Sequence, residues 1–123
     1  MKPILPPKKS ATSIEDILSN IHKILDGFKL DDVTKFNLTE SSSVFEYAFV
    51  ASGRSSTQIK SIAKELTDKL KLECQVSTVI EGYARGEWVL IATGTIQINL
   101  FLTEIRLRYN LEDLWKGLCK QDA

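Results

Sequence analysis

Apolar positions recur in two different rhythms along this chain. Ile14, Ile17, Leu18, Ile21 and Leu25 fall on one face of a helix, with Thr12 and Glu15 at capping-box spacing before them and Gly27 as a stop. Ile59, Ile62, Ala63, Leu66 and Leu70 repeat the pattern; Ser55 and Gln58 have the spacing of a second capping box, which predicts a helix to about Leu72. Between these helices, Asp32–Leu38 alternates with Val33, Phe36 and Leu38 only partly in phase, and Phe45–Ser52 is apolar and aromatic enough for a central strand. The polar run Glu40–Ser43 makes a turn between them.

After the second helix, Cys74–Ile80 reads as a strand, and Gly82 and Gly86 bracket a turn. Trp88–Ala92 and Thr95–Phe101 follow as two strands joined at Thr93 and Gly94. The period of two sends Ile96, Ile98 and Leu100 to one face and Gln97, Asn99 and Phe101 to the other. Glu104–Tyr109 and Leu111–Trp115 read as short helical segments, with Asn110 as a break. Strands alternating with helices in this order predict an α/β fold, a mixed β-sheet of about five strands with helices packed on it. Pro3, Pro6 and Pro7 make residues 1–12 a flexible N-terminal arm. Residues 13–118 then form a single domain and residues 119–123 a tail.

A chain of 123 residues buries roughly two thirds of its unfolded surface, enough for one core without metals or crosslinks. Lysine and arginine total 16 and aspartate and glutamate 16, so the formal net charge is zero at pH 7. That balance favours a protein partner over naked RNA. Cys74 and Cys119 lie in no metal-ligand spacing and fit a reducing cytoplasm. No apolar run approaches the roughly 18–20 residues that span a bilayer, and the first residues lack a signal-peptide pattern.

Candidate chemistry is sparse. Ser52, Gly53, Arg54, Ser55 and Ser56 sit at a strand-to-helix junction, where backbone N–H groups can hold an anion, but serines there are also preferred caps. His22, the one histidine, falls on the first helix away from any nucleophile or acidic cluster, as a solvated residue. Lys60 and Lys64 lie one turn apart on the outer face of the second helix. No base, metal cluster or activated nucleophile can be named, so the expectation is a protein that is not an enzyme and needs no cofactor or metal. The binding signal is aromatic and arginine-rich and falls late in the chain: Tyr83, Arg85, Trp88, Phe101, Arg106, Arg108, Tyr109 and Trp115. Trp115, among Leu111, Leu114 and Leu118, is expected to plug the core.

The segments EYAFVASGRSSTQIKSIAKELTDKLK (Glu46–Lys71), EGYARGEW and RLRYNLEDLW, in that order, resemble the ribosomal silencing factor family, also called Iojap or RsfS. The resemblance implies a fold related to nucleotidyltransferases. It also implies a function: docking on a large-subunit ribosomal protein, protein fourteen of that subunit, to prevent the small subunit from pairing and so repress translation. Glu81, Tyr83, Arg85, Glu87, Trp88, Phe101, Glu104, Arg106 and Tyr109 become the expected contact residues, with the glutamates steering toward a basic ribosomal surface. A homodimer when free is further implied, in the cytoplasm, with no membrane and no sequence-specific nucleic acid as partner. Where relatives usually carry an acidic residue after the Trp strand, a Gly-Asp turn and a strand histidine, this chain has Ala92, Gly94-Thr95 and Asn99. A nucleotidyltransferase-like nucleotide-binding enzyme and an RNA-binding module using Lys60, Lys64, Arg106 and Arg108 stand as alternatives.

Overall fold

The computed structural model describes residues 13–40 and 44–109. Helix α1 (Ile14–Asp26) opens at Ser13, whose Oγ accepts from the Asp16 N–H at 3.1 Å. The cap is therefore Ser13, at the same three-residue spacing one position later than Thr12, which lies outside the described residues. Strand β1 (Asp31–Asn37) pairs antiparallel with β2 (Tyr47–Gly53). Its register shifts between Asp31 and Thr34, where Asp32 takes φ 51°. That irregularity is why Val33 falls out of phase with Phe36 and Leu38: the chain changes face within the strand.

Helix α2 (Ser56–Cys74) is capped by Ser55, whose Oγ accepts from the Gln58 N–H. Gln58 does not close the expected reciprocal box. Its Oε1 accepts from the Arg54 N–H, and its Nε2 donates to the Lys29 carbonyl at 3.0 Å, tying the helix start to the approach to β1. The helix continues past Leu72, because Cys74 extends the stripe of Leu66 and Leu70 by one more turn and is buried with them. Gln75 then ends it in the left-handed region at φ 57°. The strand expected over Cys74–Ile80 is thus only β3 (Val79–Glu81). Strands β4 (Trp88–Thr93) and β5 (Ile96–Leu102) form a hairpin in which Thr93 pairs with Ile96. The turn residues are therefore Gly94 and Thr95, one position later than expected. Helix α3 (Thr103–Tyr109) follows directly. The segment Leu111–Trp115 and residues 119–123 lie outside the described residues.

The sheet order is β1-β2-β5-β4-β3, with β2 and β5 parallel and the other pairs antiparallel. This is the expected mixed β-sheet of about five strands with helices packed on it, with five strands and three helices among the described residues. On its first face, α1 and α2 bury Phe49, Ala51, Val89, Ile91, Ile96, Ile98 and Leu100 against Ile21, Leu25, Ile59, Ile62 and Leu66. Ile96, Ile98 and Leu100 share that face, as the period of two predicts. A smaller cluster occupies the second face: Phe36, Leu38, Ala48, Val50 and Phe101 close around Ile105 of α3. Among the described residues, the seven of α3 are the helix packed on that side, and Trp88, Leu90 and Ala92 of β4 remain only partly buried there.

Candidate functional site

The alternation of β4 brings Trp88, Leu90 and Ala92 to the second face, and all three stay half-exposed while Val89, Ile91 and Thr93 are buried. Beside them, Val79 of β3 pairs with Ala92 and is 62% exposed. Trp88 is the largest group on this surface, and its position is over-determined. Its ring stacks on Phe101 with centroids 4.8 Å apart and planes 28° from parallel. Its indole Nε1–H donates to Asn99 Oδ1 at 2.9 Å. Asn99, itself only 1% exposed, donates from Nδ2 to Gln97 Oε1 at 2.8 Å. A rigid aromatic held by a stacking contact and a hydrogen bond loses little freedom on binding, which suits it to be an interface anchor.

The turn between β3 and β4 is shaped by two glycines with positive φ. At Gly82 (φ 80°) a Cβ would lie 2.2 Å from the Trp88 carbonyl oxygen; at Gly86 (φ 68°) one would meet Ser56 Cβ at 2.9 Å. Only glycine lets the turn fold back onto β4 and onto the start of α2. The Gly86 N–H donates to the Gly82 carbonyl, and the Leu102 N–H to the Glu87 carbonyl at 2.9 Å. The turn and α3 enclose a cleft of about 340 Å³ lined by Gly82, Arg85, Glu87, Trp88, Ile105 and Arg108. Arg85 and Glu87 pair at 3.3 Å on its rim. The exposed rim pair contributes little to stability but places both charges beside an aromatic.

The expected contact residues divide. Arg85, Glu87 and Trp88 meet at the cleft. Glu81 is exposed and pairs with Leu90 on the same sheet face, and Glu104 is exposed on α3. Tyr83 turns toward α2, its ring 5.7 Å from Lys60 Nζ, above a second hollow lined by Lys64, Thr67, Asp68 and Ile80. Two expectations need correction. Phe101 is 1% exposed and forms the floor under Trp88 rather than a surface. Arg106 is 7% exposed, its guanidinium turned inward to donate to Ser52 Oγ at 2.8 Å. The reason is helical geometry: α3 turns Ile105 and Arg106 to the sheet and leaves Leu107 and Arg108 outside. Of Tyr109, only its place at the end of α3 is described. Trp115 lies outside the described residues.

Sequence reasoning named Arg108 in the binding signal but left it out of the contact set, and it passed over Ile105 as part of the cleft, and Leu90 and Gln97 as residues sharing the face of Trp88. The two-residue period of β4 and β5 already carried the second pair. The first pair needed the position of α3. The departures noted in the sequence also gain places: Ala92 lies opposite Gln97 on the open face, Asn99 anchors the indole, and Thr95 Oγ1 donates to Glu46 Oε1 at 2.9 Å at the far end of the hairpin.

At the strand-to-helix junction, Ser55 and Gln58 take the Gln58 and Arg54 N–H groups, so Ser55 serves there as a helix cap. His22 is exposed, its ring edge-to-face with Phe49 at a centroid separation of 5.3 Å. Among the described residues, no three His, Cys, Asp or Glu side chains gather in a way that could hold a metal ion, and no helix is long and apolar enough to cross a membrane.

Residues 11–123 match the family model described as "Ribosomal silencing factor during starvation". The chain is 37% identical over 111 residues to the ribosomal silencing factor of Zymomonas mobilis, covering 89% of this chain and 84% of that protein. It is 33% identical to the corresponding factor of Chromobacterium violaceum, over 85% of each. A crystal structure of a Chromobacterium violaceum protein superposes with a TM-score of 0.79 at 32% identity, covering 85% of this chain and 87% of the other. A Bacillus halodurans structure follows at 0.72 and 30% identity, covering 82% and 94%.

Proposed function

The chain belongs to the ribosomal silencing factor family, and from that premise we propose that it binds the large ribosomal subunit through protein fourteen of that subunit and keeps the small subunit from joining. The face that docks is the open side of the sheet around Trp88. One observation carries this choice: a large aromatic stays half-exposed although two partners hold it rigidly, at the rim of a cleft with Arg85, Glu87 and Arg108 around it. Interface hot spots favour this combination of a desolvating aromatic centre and a charged rim.

The mechanism is steric. A factor seated at the subunit-joining face occupies space that an intersubunit bridge needs, and no chemical step is required. Repression then follows mass action: the fraction of large subunits silenced depends on factor concentration relative to the dissociation constant. Glu81, Glu87 and Glu104 steer the encounter toward a basic ribosomal surface and raise the association rate more than the affinity. The protein acts in the cytoplasm. When free it pairs with a second copy through apolar surface that overlaps the docking face, so dimerisation and ribosome binding compete.

Sedimentation of the protein with separated subunits through sucrose gradients tests this. Co-migration with the large subunit, and loss of the full ribosome peak when the small subunit is added afterward, is the expected result. Migration at the top of the gradient sinks the proposal. In the same assay a folded Trp88→Ala chain binds the large subunit more weakly by at least about 1 kcal/mol; unchanged affinity moves the docking face elsewhere.

A further inference from the structure

Trp88, Asn99 and Gln97 form a hydrogen-bonded line across β4 and β5 on the open face. Its direction is set at one end. An indole N–H donates and has no acceptor capacity, whereas an amide side chain can present either its oxygen or its NH2. Asn99 therefore turns Oδ1 toward Trp88, and its Nδ2 is left to donate to Gln97 Oε1 at 2.8 Å, with the Phe49 carbonyl at 3.5 Å as a weaker second acceptor. With Oε1 committed inward, the other end of the Gln97 amide is an NH2 group. Among the described residues no acceptor takes a hydrogen bond from Gln97 Nε2.

The described strand neighbours of that group are small. Gln97 is half-buried and pairs with Ala92 on one side and Ala48 on the other, so its strand neighbours present only methyl groups. Resting on the docking role proposed above for this face, we infer that Gln97 is a specificity-determining residue: its outward NH2 donates to an acceptor oxygen, a carbonyl or a carboxylate, on the large-subunit protein. Trp88 acts on it through Asn99 by holding the amide in one of its two orientations. A partner presenting a donor at this point leaves two N–H groups facing each other and is rejected, because an unmatched polar group in a closed interface costs more than a missing contact.

The test uses the full chain and purified large ribosomal subunits. Gln97→Glu at neutral pH keeps an acceptor toward Asn99 but removes the outward donor. Its expected affinity is about tenfold lower than that of the unaltered protein, the scale of one lost interfacial hydrogen bond. The Trp88 indole N–H resonance, told apart from that of the other tryptophan by Trp88→Phe, stays in place because the line behind it is intact. Wild-type affinity in Gln97→Glu overturns the assignment. Should that variant fold poorly, Gln97→Met, of similar length and without a donor, is measured instead; a comparable loss supports the assignment and unchanged affinity overturns it. If the unaltered protein does not bind large subunits at all, the docking role itself fails and the role of Gln97 falls with it.

Discussion

Replacing Trp88 by phenylalanine isolates the hydrogen bond that holds the candidate docking face. Most of the stacking on Phe101 survives, since a six-membered ring still covers the floor at a centroid separation near the present 4.8 Å. What disappears is the one group among the described residues that donates to Asn99 Oδ1, and Asn99 is 1% exposed. Losing a neutral hydrogen bond costs about 1 kcal/mol, and a buried acceptor left without a donor raises that to about 1–3 kcal/mol. The smaller ring gives up a few tens of Å² of apolar contact, about 0.5 kcal/mol at a half-exposed site. Asn99 and Gln97 can both turn over in response, which moves the deficit to Asn99 Nδ2 and keeps the total toward the middle of the range. The expected loss is about 1.5–2.5 kcal/mol, read from urea denaturation followed by far-ultraviolet circular dichroism with an unchanged slope. A double-mutant cycle with Asn99→Leu should return a coupling of about 1 kcal/mol. A loss below about 0.5 kcal/mol, or strict additivity in the cycle, refutes the assignment of the indole–amide bond as what holds the ring.

Three further outcomes test other parts of the structure. Gly82→Ala places a methyl 2.2 Å from the Trp88 carbonyl oxygen at φ 80°, so it should cost more than about 2 kcal/mol and lower Tm by at least about 5 °C; a shift within a degree in a thermal melt contradicts the turn geometry. Ser52→Ala removes one acceptor of the inward Arg106 guanidinium and should cost about 1–2 kcal/mol by denaturant unfolding, against no change if the guanidinium is solvated. Burial, with Glu73 and Asp16 nearby, pushes the Cys74 thiol above its ordinary value of 9.0. The unfolded chain therefore releases this proton first, and the stability this group contributes is complete below pH 9.0 and declines as pH rises above it. In a Cys119→Ser chain, stability that rises over that window, or rapid labelling of Cys74 by a thiol reagent in the native state, runs against this placement.

Much of the architecture lay in local pattern. The stripe Ile59–Leu70 and the Ser55–Gln58 spacing define α2, because a 3.6-residue repeat and a capping oxygen act within a few residues of one another. The alternation in Ile96–Phe101 likewise separated the residues packed under the helices from those on the other face. Where local rules failed, a longer-range contact had won: Cys74 stays helical because its side chain continues the buried stripe, and Gln58 leaves its box to bind Lys29, 29 residues earlier.

The sequence by itself determined the three described helices, most strand positions, the family and the partly exposed place of Trp88, since each rests on neighbours in the chain or on ordered motifs. Only the tertiary structure decided that β2 lies parallel beside β5, and thus that Ser52 faces Arg106. It also decided that Phe101 and Arg106 serve the interior, and that α3 closes a cleft with the glycine turn. The line from Trp88 to Gln97 joins side chains of two strands, and its direction follows from which hydrogen-bonding atoms face each other in space. Periodicity reports which face a residue takes; donors and acceptors are matched only when the faces of different elements meet.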